Sequence, residues 1–310
     1  MAISDKNIYR AYPSIFDAVT INNISDLQFT TDVKNMIRRA AGANSPGFVA
    51  EVARDPRISL RTGDLATVLT SLSPTSANRG LVVSTLHKIQ YQRRGGTGSQ
   101  HVTLTGPAGF LYCTDFGTEQ DAQAPVEANL TYIPLGDASN PPITVNVSQA
   151  ITGSPSIGNQ YKLGPVTIEG TQLKTVSRVR VNTGIGVSTN RSDGMTYADY
   201  VKCSGDAFTA EIVCKQIEVG STFAAGTFKI TAGSNLYFRR MKQGSDQYAD
   251  NENQHILVQF LEGAYTFETI GAAGTDDADC RITITGTVSD THDVATTSKF
   301  SIATGQQISV

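Results

Sequence analysis

Apolar and polar residues alternate along most of the chain, with the period of a half-buried β-strand. Leu27, Phe29 and Thr31, for example, alternate with more polar neighbours. Similar stretches predict strands near 19–21, 27–33, 48–52, 58–60, 81–92, 101–105, 109–114, 126–133 and 143–147. Val, Ile, Thr, Ser and Gly dominate these stretches and the turns between them, which favours a mainly β fold.

One segment has the period of a helix instead. Four apolar residues fall on one helical face: Leu65, Val68, Leu69 and Leu72. Thr62 or Asp64 can cap the N-terminus of this helix, and Pro74 would end it. The pattern predicts a single short amphipathic helix that packs on a sheet.

The second half of the chain repeats features of the first half in the same order. Gln100 and His101 return as Gln254 and His255. The matching stretches are 19–21 with 166–168, 27–33 with 179–185, 48–52 with 197–201, 91–94 with 238–241, and 100–132 with 254–286 without a gap. We interpret them as a tandem duplication, although two β-domains of similar composition could also fall into partial register. The helix has no clean counterpart at 216–228.

These observations predict a mainly β protein of two tandem β-sandwich or half-barrel domains with a short flanking α-helix. The 310 residues suit two domains. We place an N-terminal arm at 1–18, a first domain at 19–152, a linker at 153–160 and a second domain at 161–310. The linker is small, polar and interrupted by Pro and Gly.

Composition excludes several functional classes. The net charge is −3 and no long run of one sign occurs, so no nucleic-acid-binding face is evident. The four cysteines and four histidines lack zinc-site spacing, which favours reduced, buried thiols. No signal peptide and no apolar run of about 20 residues are visible, so we expect a protein made in the cytoplasm without a membrane partner.

No catalytic motif emerges from the sequence. The Gly-rich stretches 93–100 and 182–189 lack phosphate-binding and dinucleotide-binding signatures, and we interpret both as hairpin turns or bulges. Cys113 and His101 could form a nucleophile pair. However, the histidine recurs at His255, where the position matching Cys113 is Phe267. We therefore favour a structural histidine, and predict no enzyme activity, no cofactor and no metal site.

A chain built of strands, duplicated and without catalytic groups is either a binding module or a building block. A glycan-binding sandwich usually displays exposed Trp and Tyr, whereas this chain has no Trp. A building block needs sheet edges, arms and long hairpins that can add strands to a neighbour. The polar N-terminus and the predicted hairpins at 92–101 and 241–254 would serve.

In these features the chain resembles the tail tube proteins of bacteriophages with long, non-contractile tails. The resemblance rests on 19–33, 48–72 and 100–132 and on their counterparts 166–185, 197–201 and 254–286, about half of the chain. It departs from that pattern in lacking a second helix. The resemblance implies that each copy is a β-sandwich whose inner sheet joins its neighbours around a lumen.

The resemblance further implies homotrimeric rings of pseudo-sixfold symmetry that stack head to tail and conduct DNA. The predicted location is the virion tail, with the chain itself and other tail proteins as partners and DNA passing transiently. Six acidic residues are candidates for the lumen wall: Glu119, Asp121, Glu127, Asp276, Asp277 and Asp279. They could equally be solvated loop charges. The alternatives are another tail or baseplate protein, or a β-sandwich module that binds glycans or a host surface.

Overall fold

The computed structural model describes most of the chain. The described residues are 8–42, 44–72, 80–118, 125–137, 140–205, 207–215, 229–230, 232–244, 247–270, 279–286 and 300–309. The first half contains β1 (Tyr9–Phe16), β2 (Val19–Ile21), β3 (Ile24–Arg38), β4 (Phe48–Thr62), α1 (Leu65–Leu72), β5 (Leu81–Val83), β6 (His87–Arg93), β7 (His101–Gly106), β8 (Ala108–Gly117), β9 (Glu127–Leu135) and β10 (Thr144–Gln149).

The second half is also built of strands. It contains β11 (Tyr161–Ile168), β12 (Thr171–Gln172), β13 (Val176–Asn182), β14 (Ile185–Asn190), β15 (Tyr200–Gly205), β16 (Phe208–Cys214), β17 (Lys229–Ile230), β18 (Ser234–Arg240), β19 (His255–Phe260), β20 (Gly263–Ile270), β21 (Asp279–Gly286) and β22 (Phe300–Gln306). The predicted mainly β fold is confirmed, because antiparallel strands make up most of the described residues.

The two halves contain sheets with the same strand order. The first half forms a five-stranded sheet in the order β10-β7-β6-β1-β2, and the second half forms one in the order β22-β19-β18-β11-β12. A third, large sheet has the order β3-β4-β9-β8-β13-β16-β21-β20-β17. Its first four strands belong to the first half and match the next four in position. β5 pairs with β8 as β17 pairs with β20.

The five-stranded sheets pack face to face on the large sheet. The ring of Phe16 on β1 lies 4.9 Å from that of Tyr132 on β9, between ring centres. In the second half Phe208 on β16 stacks on Phe300 on β22 at 3.7 Å. Both contacts belong to one continuous apolar core that runs through both halves. The division into two domains with a linker at 153–160 stays a prediction, since the core and the large sheet are shared.

A matching turn supports the equivalence of the halves. Asp17 follows β1 with a φ of 49°, and Glu169 follows β11 with a φ of 50°. The Asp17 amide donates to the Leu86 carbonyl at 2.8 Å, and the Glu169 amide donates to the Gly233 carbonyl at 3.1 Å. The same unusual left-handed conformation occurs in both halves, and its amide binds the carbonyl just before the matching strand, β6 or β18.

The strand registers correct three details of the predicted repeat. Residues 166–168 end β11 as 14–16 end β1, so their counterpart is not 19–21, which form β2. β4 begins at Phe48 and β15 at Tyr200, so 48–52 do not match 197–201. A bulge between Cys113 and Asp115 ends the gapless alignment of 100–132 with 254–286. Bulges shift the register by one residue without changing the alternation that a sequence displays.

The prediction of an N-terminal arm over 1–18 is wrong for Tyr9–Phe16. These residues form β1, which pairs with both β2 and β6 inside the first five-stranded sheet. Ser14 and Phe16 are fully buried there. The partner β6 lies about seventy residues further along the chain, so a local reading of the sequence does not reveal the burial.

The predicted helix is confirmed as α1. Leu65, Val68, Leu69 and Leu72 are its buried residues. Asp64 is the N-cap, because it immediately precedes the helix and its Oδ1 accepts from Thr67 Oγ1 at 2.8 Å. The Thr62 hydroxyl accepts from the Asp64 amide at 3.0 Å and so fixes the cap. Pro74 lies outside the described residues. α1 contacts β2, β8 and β9, and also β22 of the second half.

Candidate functional site: the polar face and open edges of the large sheet

The side of the large sheet that faces away from the core is polar and charged, except where the β14–β15 hairpin covers an apolar cluster on β8 and β9. In β21, Cys280, Ile282 and Ile284 point into the core, while Asp279, Arg281 and Thr283 point outward. The same alternation runs through β4, β9, β13 and β16. The charged and amide groups of this polar face include Asp26, Gln28, Arg57, Arg61, Asp115, Glu127, Asn129, Arg178, Arg180, Asn182, Glu211, Glu268, Asp279 and Arg281.

In the first half of the polar face, side chains connect four strands. Arg61 on β4 donates to Asn129 Oδ1 on β9 at 3.3 Å, and Asn129 donates to Asp115 Oδ1 on β8 at 2.8 Å. Arg180 on β13 reaches the same carboxylate at 3.1 Å. This last contact crosses from the second half to the first. The network therefore spans the point where the halves join.

In the second half of the polar face, Glu211 lies between two arginines. Arg178 forms a close ion pair with Glu211, and Arg281 lies 3.8 Å from it. Arg281 also reaches Glu268 on β20 at 3.4 Å. Acids and guanidinium groups thus alternate across the strands, and each of these arginines has a carboxylate partner. Such half-exposed pairs contribute little to stability, but they neutralise the surface locally.

Two of the six predicted acidic residues are described, and both lie on the polar face. Glu127 Oε2 on β9 is 3.9 Å from Arg61 Nε. Asp279 occupies the equivalent position on β21, opposite Ile270. Glu119, Asp121, Asp276 and Asp277 lie outside the described residues. That these acids line a lumen stays a prediction.

The sequence analysis did not select three acids that pair with arginines on the polar face: Asp115, Glu211 and Glu268. Each follows the alternation of its own strand, as Glu211 does between buried Ala210 and Ile212. That alternation could have placed them on the outer side. Only the pairing of distant strands brings them next to arginines.

The two halves are joined in the large sheet by β8 and β13. In this junction Gly117 lies opposite Arg180, Phe116 opposite Val181 and Asp115 opposite Asn182. The Thr118 amide also donates to the Val179 carbonyl at 2.9 Å. Val179 and Val181 are fully buried there. This β8–β13 junction is an ordinary antiparallel strand pair with an apolar inner side.

Towards the two ends of the large sheet, the equivalents of these two strands have positions with no partner strand among the described residues. β3 matches β13 and is an edge strand, and Phe29, which matches Val181, is 40% exposed. β20 matches β8. In the described residues β20 pairs with β17 only at Ala264 and Gly263, which leaves its C-terminal end, 268–270, unpaired on that side. An apolar side chain on an unpaired edge invites strand addition.

The outer part of the β3–β4 hairpin is rich in exposed apolar side chains. We define the apolar tip by five residues on it, among which Ile37 is 58% and Phe48 52% exposed: Val33, Ile37, Phe48, Val49 and Val52. The matching hairpin β14–β15 instead contacts the first half. Its Ile185, Val187 and Val201 pack on Phe110 and neighbouring residues of β8 and β9.

The recurring histidines make the same backbone contact in both halves. His101 Nδ1 accepts from the Arg93 amide at 3.1 Å, and His255 Nδ1 accepts from the Arg240 amide at 3.2 Å. Each ring thus satisfies a backbone donor at the end of a hairpin. Burial raises the pKa of the Cys113 thiol far above its ordinary range, so the nucleophilic thiolate form is scarce in the folded chain.

The described residues contain no group of three or more His, Cys, Asp or Glu side chains arranged to hold a metal ion. Among them no helix has the length and apolar character needed to cross a bilayer. No protein family matches the chain, and no curated protein is detectably similar to it.

Proposed function

We propose that the chain is a structural virion protein that assembles with copies of itself into stacked rings, forming a phage tail tube that conducts DNA. The single observation that carries the proposal is the β8–β13 junction together with the matching edges on β3 and β20, which have no partner strand among the described residues. A chain that joins its own halves edge to edge can extend the same sheet into a neighbour through such edges.

The internal junction supplies a register for the contact between chains. Phe29 takes the place of Val181, and Thr269 takes the place of Phe116. In the proposed contact, β3 of one copy pairs antiparallel with β20 of the next, with Phe29 opposite Thr269 and Gln28 opposite Ile270. The inner side of the new pair would cover the exposed Phe29 ring, as the internal junction covers Val181.

Repeated joining would curve the large sheet into a hollow cylinder. Each chain supplies two equivalent units, so three chains give the trimeric ring with pseudo-sixfold symmetry that the resemblance implies. Rings would stack head to tail through heterologous contacts, which build a filament because they do not close. Other tail proteins would start and end that filament in the virion.

The polar face suits the wall of a channel for DNA. Arg61, Arg178, Arg180 and Arg281 each lie within 4 Å of a carboxylate. A wall of unpaired cations would bind the phosphates by counterion release, since DNA carries one charge per about 1.7 Å of its axis. Arginines that are already paired with Asp115, Glu127 or Glu211 would bind the DNA phosphates more weakly. The DNA could then slide along the wall.

Electron microscopy of the purified full chain, with and without a tail-tip initiator complex, tests the proposal. We expect rings or tubes about 100 Å wide, an estimate from sheet spacing and domain size. Threefold averages with six similar lobes would support the duplicated unit. A chain that stays monomeric at high concentration beside its tail partners would contradict the proposal, and specific binding of such a monomer on a glycan array would favour the host-surface module.

A further inference from the structure

Two cysteines face each other across neighbouring strands in the second half. Cys214 is the last residue of β16, and Cys280 is the second residue of β21; they are directly opposite in the strand register. Their Sγ atoms are 2.9 Å apart. Both side chains are fully buried. Both are reduced cysteines in this structure.

The backbone at this position suits a disulfide. Opposing residues of antiparallel strands have Cα atoms about 4.5 or 5.5 Å apart, and both spacings lie within the range that disulfides span, about 4.4–6.8 Å. The short Sγ–Sγ distance shows that the two side chains also point at each other. A bond could therefore form without moving the strands.

We propose that Cys214 and Cys280 form an intramolecular disulfide when the protein meets a small-molecule disulfide such as oxidised glutathione. The thiolate of one cysteine attacks a glutathione sulfur, forming a mixed disulfide and releasing one glutathione thiolate. The thiolate of the second cysteine attacks the protein sulfur of that mixed disulfide and releases the other glutathione. In total two protein thiols become one disulfide and lose two protons, and the oxidant is reduced to two thiols.

The surroundings make the reaction slow in the folded chain. Burial, together with the contact with Cys214, raises the pKa of Cys280 to about 12, so its attacking thiolate is scarce. Both residues lie at or near strand ends, where strands open most readily. We therefore expect the bond to form during folding in an oxidising medium, or slowly afterwards with a rate that rises with pH.

Only the second half has the cysteine pair that this disulfide requires. The matching positions in the first half are Thr62 and Ala128, which also lie opposite each other, on β4 and β9. The bond would close a loop between residues 66 positions apart, and disulfides that close long loops restrict the unfolded chain strongly. It would therefore stabilise the folded chain through a bond that the first half lacks. This inference does not depend on the proposed assembly function.

Oxidation of the full chain by oxidised glutathione, followed by intact mass measurement and non-reducing peptide mapping, tests the inference. The chain should lose two hydrogen atoms, and one peptide pair should contain Cys214 and Cys280. The midpoint of thermal unfolding should rise by about 5–10 °C and fall back after reduction.

Matched variants separate the pair from the other thiols. Cys203→Ser removes the exposed cysteine and should leave the mass loss and the thermal shift unchanged. Cys214→Ala and Cys280→Ala should each abolish both. If either variant does not fold, peptide mapping of the Cys203→Ser chain alone decides the matter. The inference is overturned if that chain keeps all three of its thiols, Cys113, Cys214 and Cys280, after refolding in oxidised glutathione, or if its disulfides link different chains.

Discussion

The β14–β15 hairpin and the outer part of the β3–β4 hairpin occupy equivalent places in the two halves but have different surroundings. β14–β15 rests on the first half, where its Ile185 and Val201 cover Phe110. The apolar tip of β3–β4 is not covered by any described element, and Ile37 and Val49 are 58% and 59% exposed. The same hairpin thus packs its apolar side chains within the chain in the second half and exposes them in the first.

The open and joined edges of the large sheet differ in the same way. Val181 is fully buried by β8, whereas Phe29, its counterpart, is 40% exposed. Two features of the first half, the edge strand β3 and the apolar tip, are therefore exposed. Their counterparts in the second half, β13 and the β14–β15 hairpin, are covered by other parts of the chain. A neighbouring copy that repeats the internal arrangement would cover the edge. This difference leads to predictions that compare matched residues in the two halves.

The largest effect is expected from placing a charge at the two matched edge positions. Val181→Asp buries a carboxylate in the β8–β13 junction and should cost about 4 kcal/mol or more, or prevent folding. Phe29→Asp should leave the free energy of unfolding of the single chain within about 1 kcal/mol of the original, because the site is open. Denaturant unfolding measures both.

The same pair of variants also separates folding from assembly. Phe29→Asp should abolish ring and tube formation in sedimentation and microscopy, because the charge would be buried at the contact between chains. Phe29→Tyr, which keeps the ring, is the control and should assemble. Normal tubes from Phe29→Asp would show that β3 is not an assembly edge.

The next largest difference in stability is expected between truncations of two phenylalanines, one beneath the β14–β15 hairpin and one on the β3–β4 hairpin. Phe110 is buried beneath β14–β15, and Phe110→Ala should cost about 3 kcal/mol of stability. Phe48 on the apolar tip is 52% exposed, and Phe48→Ala should cost about 1 kcal/mol or less. Thermal unfolding of unassembled chains measures the difference. Equal costs would mean that the apolar tip is already packed within the single chain.

A third effect depends on pH and is confined to the first half. Burial lowers the pKa of His87 to about 4, from an ordinary value of 6.5. Its Nδ1 lies 2.6 Å from the Tyr132 hydroxyl, and among the described residues its Nε2 has no partner. The residue at the matching position in the second half is Ser234.

The direction of the change in stability with pH follows from where His87 binds its proton. The unfolded chain takes up the His87 proton below about pH 6.5, while the folded chain resists it until about pH 4. Acidification through this window should therefore remove about 3 kcal/mol of stability. His87→Asn should flatten the curve of unfolding free energy between pH 7 and 4, with Ser234→Ala as a control that keeps the slope. An unchanged slope in His87→Asn would assign the pH dependence to other groups.

The local patterns of the sequence predicted the local elements. Period-two alternation placed most strands, and the spacing of Leu65, Val68, Leu69 and Leu72 with a capping residue placed α1. The matching stretches, which recur in the same order along the chain, also indicated a repeat. The two halves have the same strand order in their five-stranded sheets.

The remaining features depend on long-range pairing. The burial of β1 requires β6, and the one-residue register shift in β8 depends on the bulge near Cys113. The polar face exists because strands far apart in sequence place Asp115 beside Arg180. An outward acid has the same alternating pattern on any exposed strand, so the sequence alone does not show which acids face arginines.

Cysteine cross-linking of assembled particles tests most directly the claim that the internal junction is repeated between chains. In a Cys203→Ser background, Gln28→Cys and Ile270→Cys should lie opposite each other across the contact and give covalently closed oligomers on oxidation. Gln28→Cys with Thr266→Cys places the second thiol four residues along β20 and should leave single chains. Equal cross-linking by both pairs, or none by the first in intact rings, would contradict the account.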